Sequence, residues 1–238
     1  MQIAPGLKIL EISAPGEGMV VHPVLIWDDK DVILIDAGMP NMAPAIKEAI
    51  AKSGVPFERL NKVIITHHDF DHLGGLTGIL TLAQQKISVL AHEDEKPFIE
   101  GKKHLWEKIE KTTASLPPAQ KEENKIAYRN RETVEVNMTL SDGQQLPFCG
   151  GITVIHTPGH TPGHICLYLP ATKTLIAGDA LNSDQGKLMG PIPMFTVDQE
   201  QAVASLKKLL SYEIDRIICY HGGLVQGDMR AQLEKIIF

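Results

Sequence analysis

Ten residues constrain this chain more than any others. Thr66-His67-His68-Asp69-Phe70-Asp71-His72-Leu73-Gly74-Gly75 places three histidines and two aspartates in six consecutive positions. Just before it runs Lys62-Val63-Ile64-Ile65, a short apolar, β-branched stretch that reads as a buried strand. Just after it, Leu76, Ile79, Leu80 and Leu82 recur at helical spacing. The polar run therefore sits where a strand hands over to a helix. A cluster this dense calls for something that binds it; the bland alternative is a solvated polar loop. In an extended loop alternate side chains share one side, so His67, Asp69 and Asp71 are expected to converge while His72 points elsewhere. That geometry suits two metal ions a few ångströms apart, with Asp71 and His72 reaching the second. Gly74 and Gly75 leave no side chain to block a close approach at the helix start.

A chain of 238 residues can bury a sizeable core, and we read residues 1–238 as a single domain. No stretch approaches the ~20 apolar residues of a membrane span, and Met1 to Gly6 lacks the basic start of a secretory signal. A cytoplasmic location is the resulting expectation. Cys149, Cys166 and Cys219 share no CxxC spacing, so they read as small buried thiols in a reducing compartment. A net charge of −6 argues against a nucleic-acid surface. Lys102, Lys103, Lys108 and Lys111 do cluster, but acidic residues intervene, and a solvated helix face is the expectation.

Strand signals fall at Val24 to Trp27, Val32 to Ile35, Ile87 to Ala91, Thr133 to Val136, Thr139-Leu140, Ile152 to Ile155, Ile165 to Leu169, Thr174 to Ala177 and Ile214 to Cys219. Helical periodicity marks 43–52 and 199–210. Asp36 closes one of the buried strands, and a carboxylate there needs partners. It reads either as a turn or helix cap or, as we favour, as an acceptor that holds the metal loop in place. His92 ends another strand and is expected to be a structural histidine. Residues 93–132 are highly charged and broken by Leu116-Pro117-Pro118. They read as a helical insertion with Phe98, Trp106 and Tyr128 as apolar contacts, and as a candidate lid. The Thr157-Pro158-Gly159-His160-Thr161-Pro162-Gly163 run predicts an irregular loop that presents His160 at a fixed angle.

Histidine or aspartate thus follows four strand candidates: at 67 to 72, at 160, at 179 and at 221. This layout resembles the metallo-β-lactamase superfamily over essentially the whole chain. The resemblance implies an α/β fold, a four-layer αββα sandwich of two mixed β-sheets flanked by helices, with metal loops gathered at one edge. It also implies that His67, Asp69 and His160 hold one metal, that Asp71, His72 and His221 hold another, and that Asp179 bridges them. One departure stands out, because the family usually has histidine where this chain has Asp69. Two divalent ions are implied, zinc first. The added carboxylate makes manganese or iron more competitive than at an all-histidine site. A slipped loop could instead give the role to His68, but adjacent His67 and His68 would diverge.

The chemistry implied is hydrolysis of an ester, thioester or lactone of a small molecule. Two cations roughly 3.5–4 Å apart lower the pKa of a bridging water from about 15.7 toward about 7, supplying hydroxide to attack a carbonyl carbon. Asp71 would be both ligand and acceptor of the proton that moves toward the leaving group. His164 and Tyr168 are candidate substrate contacts, with packing or loop hydrogen bonding as the alternative. The chain ends soon after His221, which argues against the helical glutathione-binding domain of glyoxalase II. Quorum-quenching lactonases fit in size, yet Ala180-Leu181-Asn182 lacks their tyrosine after the bridging Asp. The rival from another class is a non-catalytic metal-binding or regulatory protein that keeps the fold. No nucleic-acid or membrane partner is expected, and a homodimer is left open.

Overall fold

A computed structural model describes residues 1–13 and 18–238. Its first sheet contains β1 (Gln2–Ala4), β2 (Leu7–Ile9), β5 (Val24–Trp27), β6 (Val32–Ile35), β7 (Lys62–Ile65), β8 (Ser88–His92) and β9 (Met138–Leu140), in that spatial order. β3 (Ile12–Ser13) and β4 (Val20–Val21) form a separate ribbon. The second sheet runs β10 (Gln145–Leu146), β11 (Ile152–His156), β12 (Ile165–Leu169), β13 (Thr174–Ile176), β16 (Arg216–Cys219) and β17 (Gly223–Gln226), with β14 (Asn182–Asp184) and β15 (Lys187–Met189) as a side hairpin. Both sheets are mixed. β6, β7, β8 and β9 pair in parallel, as do β13 and β16, while the remaining pairs are antiparallel.

Alternation along the strands explains the layering. In β6, Ile33 and Ile35 face the second sheet, where they meet Val154, Leu167 and Ile218. Val32 and Leu34 face outward onto Ile46 and Ile50 of α1 (Ala43–Ala51) and onto Leu76 and Ile79. A strand buried on both faces carries no polar alternation, which is why Val-Ile-Leu-Ile reads as an unbroken apolar run. The second sheet repeats this. Val154 and Ile218 point inward, whereas Ile155, Cys166 and Ile217 pack on Leu206, Met229 and Leu233. Those last residues come from α7 (Gln199–Leu206) and α8 (Met229–Ile237). Helix, sheet, sheet and helix make four layers.

The remaining helices are α2 (Phe70–Leu73), α3 (Leu76–Leu82), α4 (Lys96–Ile99), α5 (Trp106–Thr112) and α6 (Pro118–Arg129). The last three lie between β8 and β9. No helix among the described residues is long and apolar enough to cross a membrane. The strand expected at 133–136 does not form. Val136 N donates to Glu100 Oε1 and Val134 N to Ile99 O, so this segment hangs on the end of α4 and joins the sheet only from Met138. α7 also stops short of expectation, passing into a 3-10 turn at Lys207–Ser211.

Candidate metal centre

Parallel strands deliver their carboxyl ends to one edge. β6 ends at Ile35 before Asp36, β7 before Thr66, β13 before Asp179 and β16 before His221. β11 runs the same way as β13 because both are antiparallel to β12, so its following loop brings His160 to that edge as well. Two backbone links tie the edge together: Ile165 N donates to Thr66 O across the sheets at 3.1 Å, and His22 N to Tyr220 O at 3.1 Å.

The seven residues singled out in the sequence meet there. Asp69 Oδ2 lies 3.4 Å from His67 Nε2 and 3.0 Å from His160 Nε2. Asp71 Oδ2 lies 3.7 Å from His72 Nε2 and 3.0 Å from His221 Nε2. Asp179 stands between the two groups. Its Oδ2 is 3.6 Å from His160 Nε2, and its Oδ1 is 3.2 Å from His72 Nε2 and 3.5 Å from His221 Nε2. The extended-loop geometry is corrected in one respect. The chain is extended only to Asp69 (ψ 151) and then turns into α2, so Asp71 and His72 swing together to the second group instead of Asp71 joining His67 and Asp69.

His67 Nε2, His72 Nε2 and Asp179 Oδ1 are buried and have no hydrogen-bond partner among the described residues. Buried polar atoms are nearly always paired, and three orphans facing one another mark a place for a cation. Imidazole nitrogens and carboxylate oxygens are a donor set that zinc, manganese and iron accept. Each group of three, His67 with Asp69 and His160 or Asp71 with His72 and His221, holds its donor atoms within 4.8 Å of one another.

Buried hydrogen bonds aim these side chains. Asp36, at a positive φ of 61°, accepts from Thr66 N (2.8 Å), from Thr66 Oγ1 (2.8 Å) and from His72 Nδ1 (2.9 Å). The His72 bond puts its proton on Nδ1 and turns Nε2 to the centre. His67 Nδ1 meets Thr66 Oγ1 at 3.0 Å to the same effect. Gly75 is required because a Cβ there would sit 2.1 Å from Ala37 O. Gly178 adopts φ +51, and a Cβ there would lie 2.6 Å from His164 Nε2.

Two expected substrate contacts are corrected. His164 is fully buried; its Nδ1 meets Thr157 Oγ1 at 2.8 Å and its Nε2 accepts from Asp179 N at 3.0 Å. It positions the backbone of Asp179 and has no face for substrate. Burial, with His160 nearby, drives its imidazole down to about 3, so it stays neutral in this role. Tyr168 points to the outer face of its sheet, where its hydroxyl donates to Glu213 O at 2.8 Å. His68 is turned away as well: it stacks on Phe98 and binds Glu95. His92 stacks on His156 at 4.0 Å between ring centroids, outside the cluster.

Three residues that local sequence patterns did not single out as site residues prove central. Glu95, fully buried, accepts from His68 N (3.0 Å), Thr161 Oγ1 (2.5 Å) and Gly163 N (2.8 Å), tying the His67 loop to the His160 loop. Burial pushes its carboxyl up, but His68 and these donors outweigh that and hold it at about 2. Tyr220 donates its hydroxyl to Asp71 O at 2.5 Å and packs its ring 3.7 Å from that of His72. Lys108 corrects the expectation of a solvated lysine face: it is 5% exposed, with Nζ 2.5 Å from Asp69 Oδ2 and 3.1 Å from His160 Nε2. No apolar period in α5 marked it, since Trp106, Ile109 and Thr112 around it are only half-buried.

The two groups differ in charge. For His72, burial disfavours the imidazolium, yet Asp179, Asp71 and Asp36 outweigh it and raise the ring well above the usual histidine value. His221, under the same opposition of burial and Asp179, rises to about 9. Burial and the nearby His72 hold His67 well below that range. Asp69 resists burial and is held well below the usual carboxylate range by Lys108, His160 and His67.

The metallo-beta-lactamase superfamily profile matches residues 16–221. The chain belongs to that superfamily. A probable metallo-hydrolase of Bacillus subtilis strain 168, YflN, is 33% identical over 226 residues, covering 86% of this chain and 80% of its own. A hydroxyacylglutathione hydrolase of Prochlorococcus marinus is 26% identical over 86% of this chain and 70% of its own. Among solved structures, a metallo-beta-lactamase family protein from Thermus thermophilus superposes with a TM-score of 0.75 at 24% identity, covering 98% of this chain and 79% of that one. That last likeness supports the fold alone, and the fold is the one the sequence resemblance implied. Superfamily membership and these relatives support a hydrolase.

Proposed function

We propose that this metallo-hydrolase cleaves an ester, thioester or lactone of a small molecule at a two-metal centre. The observation that carries the reading is the trio of buried, unpartnered atoms on His67, His72 and Asp179, ringed by the other four donors. In this reading His67, Asp69 and His160 hold one divalent cation, Asp71, His72 and His221 hold the other, and Asp179 faces both. Zinc suits this set best, with manganese or iron favoured by the added carboxylate of Asp69. When bound, such a pair supplies Lewis acidity and makes water acidic enough to act as a nucleophile near neutral pH.

The chain's own residues do the rest. Asp36 and Thr66 fix the tautomers of His72 and His67, so both present Nε2. His164 keeps Asp179 in register through its backbone N–H. Asp71 and His221, 24% and 25% exposed in their side chains, form the side open to solvent. The Asp71 carboxylate is there placed to take a proton and pass it to the leaving group. Beside Asp69 lies a cavity of about 730 Å³ between the α1–α3 face and the 93–132 insertion, lined by Pro44, Leu73, Leu82, Ile109, Tyr128 and Val134. Its apolar walls favour a substrate with an apolar acyl portion next to the bond that is cut. The thioester option gains support from the hydroxyacylglutathione hydrolase relatives.

The test is to assay metal-free and zinc-, manganese- or iron-loaded protein on chromogenic esters, thioesters and lactones of graded chain length. Turnover that appears only with metal and improves with chain length is expected. If neither rate nor substrate-analogue binding depends on metal, the hydrolase reading fails and the non-catalytic alternative takes its place.

A further inference from the structure

Lys108 reaches the cluster from outside the strand-end loops that build it. α5 carries it, and α5 belongs to the insertion between β8 and β9. A buried ammonium needs compensating partners, and Lys108 takes them from the cluster itself: Asp69 Oδ2 at 2.5 Å, His160 Nε2 at 3.1 Å and His160 O at 3.4 Å. Asp69 Oδ2 and His160 Nε2 are the same two atoms that, with His67 Nε2, form one of the two donor trios. A divalent ion entering that trio meets a positive charge already bonded to two of its three donors. At the other trio no lysine or arginine pairs with Asp71, Asp179 or the rings of His72 and His221 among the described residues, so the cations to be displaced there are protons, which pass to solvent without moving a side chain.

We propose that Lys108 is a built-in cation of the His67–Asp69–His160 position, which a metal ion must displace, so that the two positions fill in order with the His72–His221 side first. The inference rests on the reading of the cluster as a metal centre. It extends that reading to the insertion. Besides Lys108, α5 is fastened here by Lys111, whose Nζ donates to Thr196 O at 2.6 Å. Displacing Lys108 removes the one bond from α5 to Asp69, and α5 supplies Ile109 to the wall of the cavity beside that residue. Filling the His67–Asp69–His160 position therefore loosens the insertion over the substrate cavity.

Trp106 reports on this motion. It lies two residues before Lys108 in α5 and meets Tyr128 of α6 edge to face at 5.5 Å between centroids. The other tryptophan, Trp27, sits at the far end of β5, and Trp27→Phe leaves Trp106 as the single tryptophan, excited selectively beyond the tyrosine band. Metal-free protein is titrated with zinc by calorimetry, bound zinc is counted by elemental analysis, and Trp106 emission is followed in the same titration. Two binding steps separated by about tenfold or more are expected, with emission changing at the second step only. In Lys108→Met, an uncharged chain of similar length, the weaker step should tighten by about tenfold or more while the stronger one holds.

Equal steps in the parent protein, or a weaker step that Lys108→Met leaves unchanged or loosens, would overturn the proposal. The parent titration does not depend on how well the variant folds. If both proteins take two ions identically, the metal centre stands and only the role of Lys108 is lost. If neither binds zinc, manganese or iron, the centre and this inference fall together.

Discussion

The two halves of the cluster share Asp179 but balance their charge differently. On the His72–His221 side the positive charge of the metal-free protein is a pair of protons, held on imidazoles that Asp179, Asp71 and Asp36 make more basic. On the His67–His160 side both rings are buried, Asp69 puts a carboxylate among the donors, and the compensating charge is the tethered ammonium of Lys108. An imidazole proton passes to solvent without moving the ring, whereas the Lys108 side chain is tethered to α5. One fold therefore makes one half of its centre answer to pH and the other to the insertion above it.

The largest effect comes from removing what the halves share. Asp179→Ala should cost both ions and lower turnover by at least about a thousandfold, since it leaves the donor sets incomplete on both sides. Two zinc ions retained at full rate, measured by elemental analysis beside an assay, would end the view of Asp179 as the common element. Next comes pH. His221 carries its proton below about 9 in the metal-free protein and His72 is also raised well above the usual histidine value, so an ion entering that half must expel both protons. Affinity should rise about a hundredfold per pH unit below about 9 and less steeply above. Calorimetry in buffers of different ionisation enthalpy should count two released protons at pH 7, and a pH-independent first step would break the contrast.

Asp36→Ala frees His72 Nδ1 and Thr66 together, and the loss of such an orienting partner costs about 10–100-fold in metal affinity. The stronger step should weaken most in a zinc titration. A smaller effect, on stability, is expected at Glu95, which serves the other half. Its folded value of about 2 lies below the usual 4.5, so its contribution is complete above pH 4.5 and is lost as pH falls through about 2. That contribution is worth about 3 kcal/mol. Glu95→Gln should lower the melting temperature near neutrality and flatten the acid limb of the stability curve. An unchanged acid limb would show that the two loops are held together by something else.

The sequence exposed those parts of the molecule whose signal is local. Unbroken apolar runs at Val32 to Ile35 and Val63 to Ile65 announced buried strands. Histidine or aspartate after four strand ends, through the superfamily resemblance that this layout carries, named the seven residues that meet at the edge. Where a partner lay far along the chain, local reading gave out. Thr133 to Val136 has the composition of a strand, but Glu100 and Ile99 claim its backbone groups. Tyr168 and His164 stand close to His160 in sequence, yet pleating turns one to the outer face and burial locks the other behind Asp179. Lys108 and Glu95 looked like surface charge within a charged segment, and only the closure of the insertion on the strand-end loops buries them.

Sequence alone thus determined which stretches must be buried and, through a layout that resembles the superfamily, which side chains to look for at the edge, because residue chemistry and hydrophobic period belong to the chain at any point. Tertiary structure decided how charge is shared at the centre. Direction and distance between groups dozens of residues apart depend on how two sheets and an insertion close on one another. The ammonium of Lys108 and the carboxylate of Asp69, 39 positions apart, acquire their meaning only from that closure.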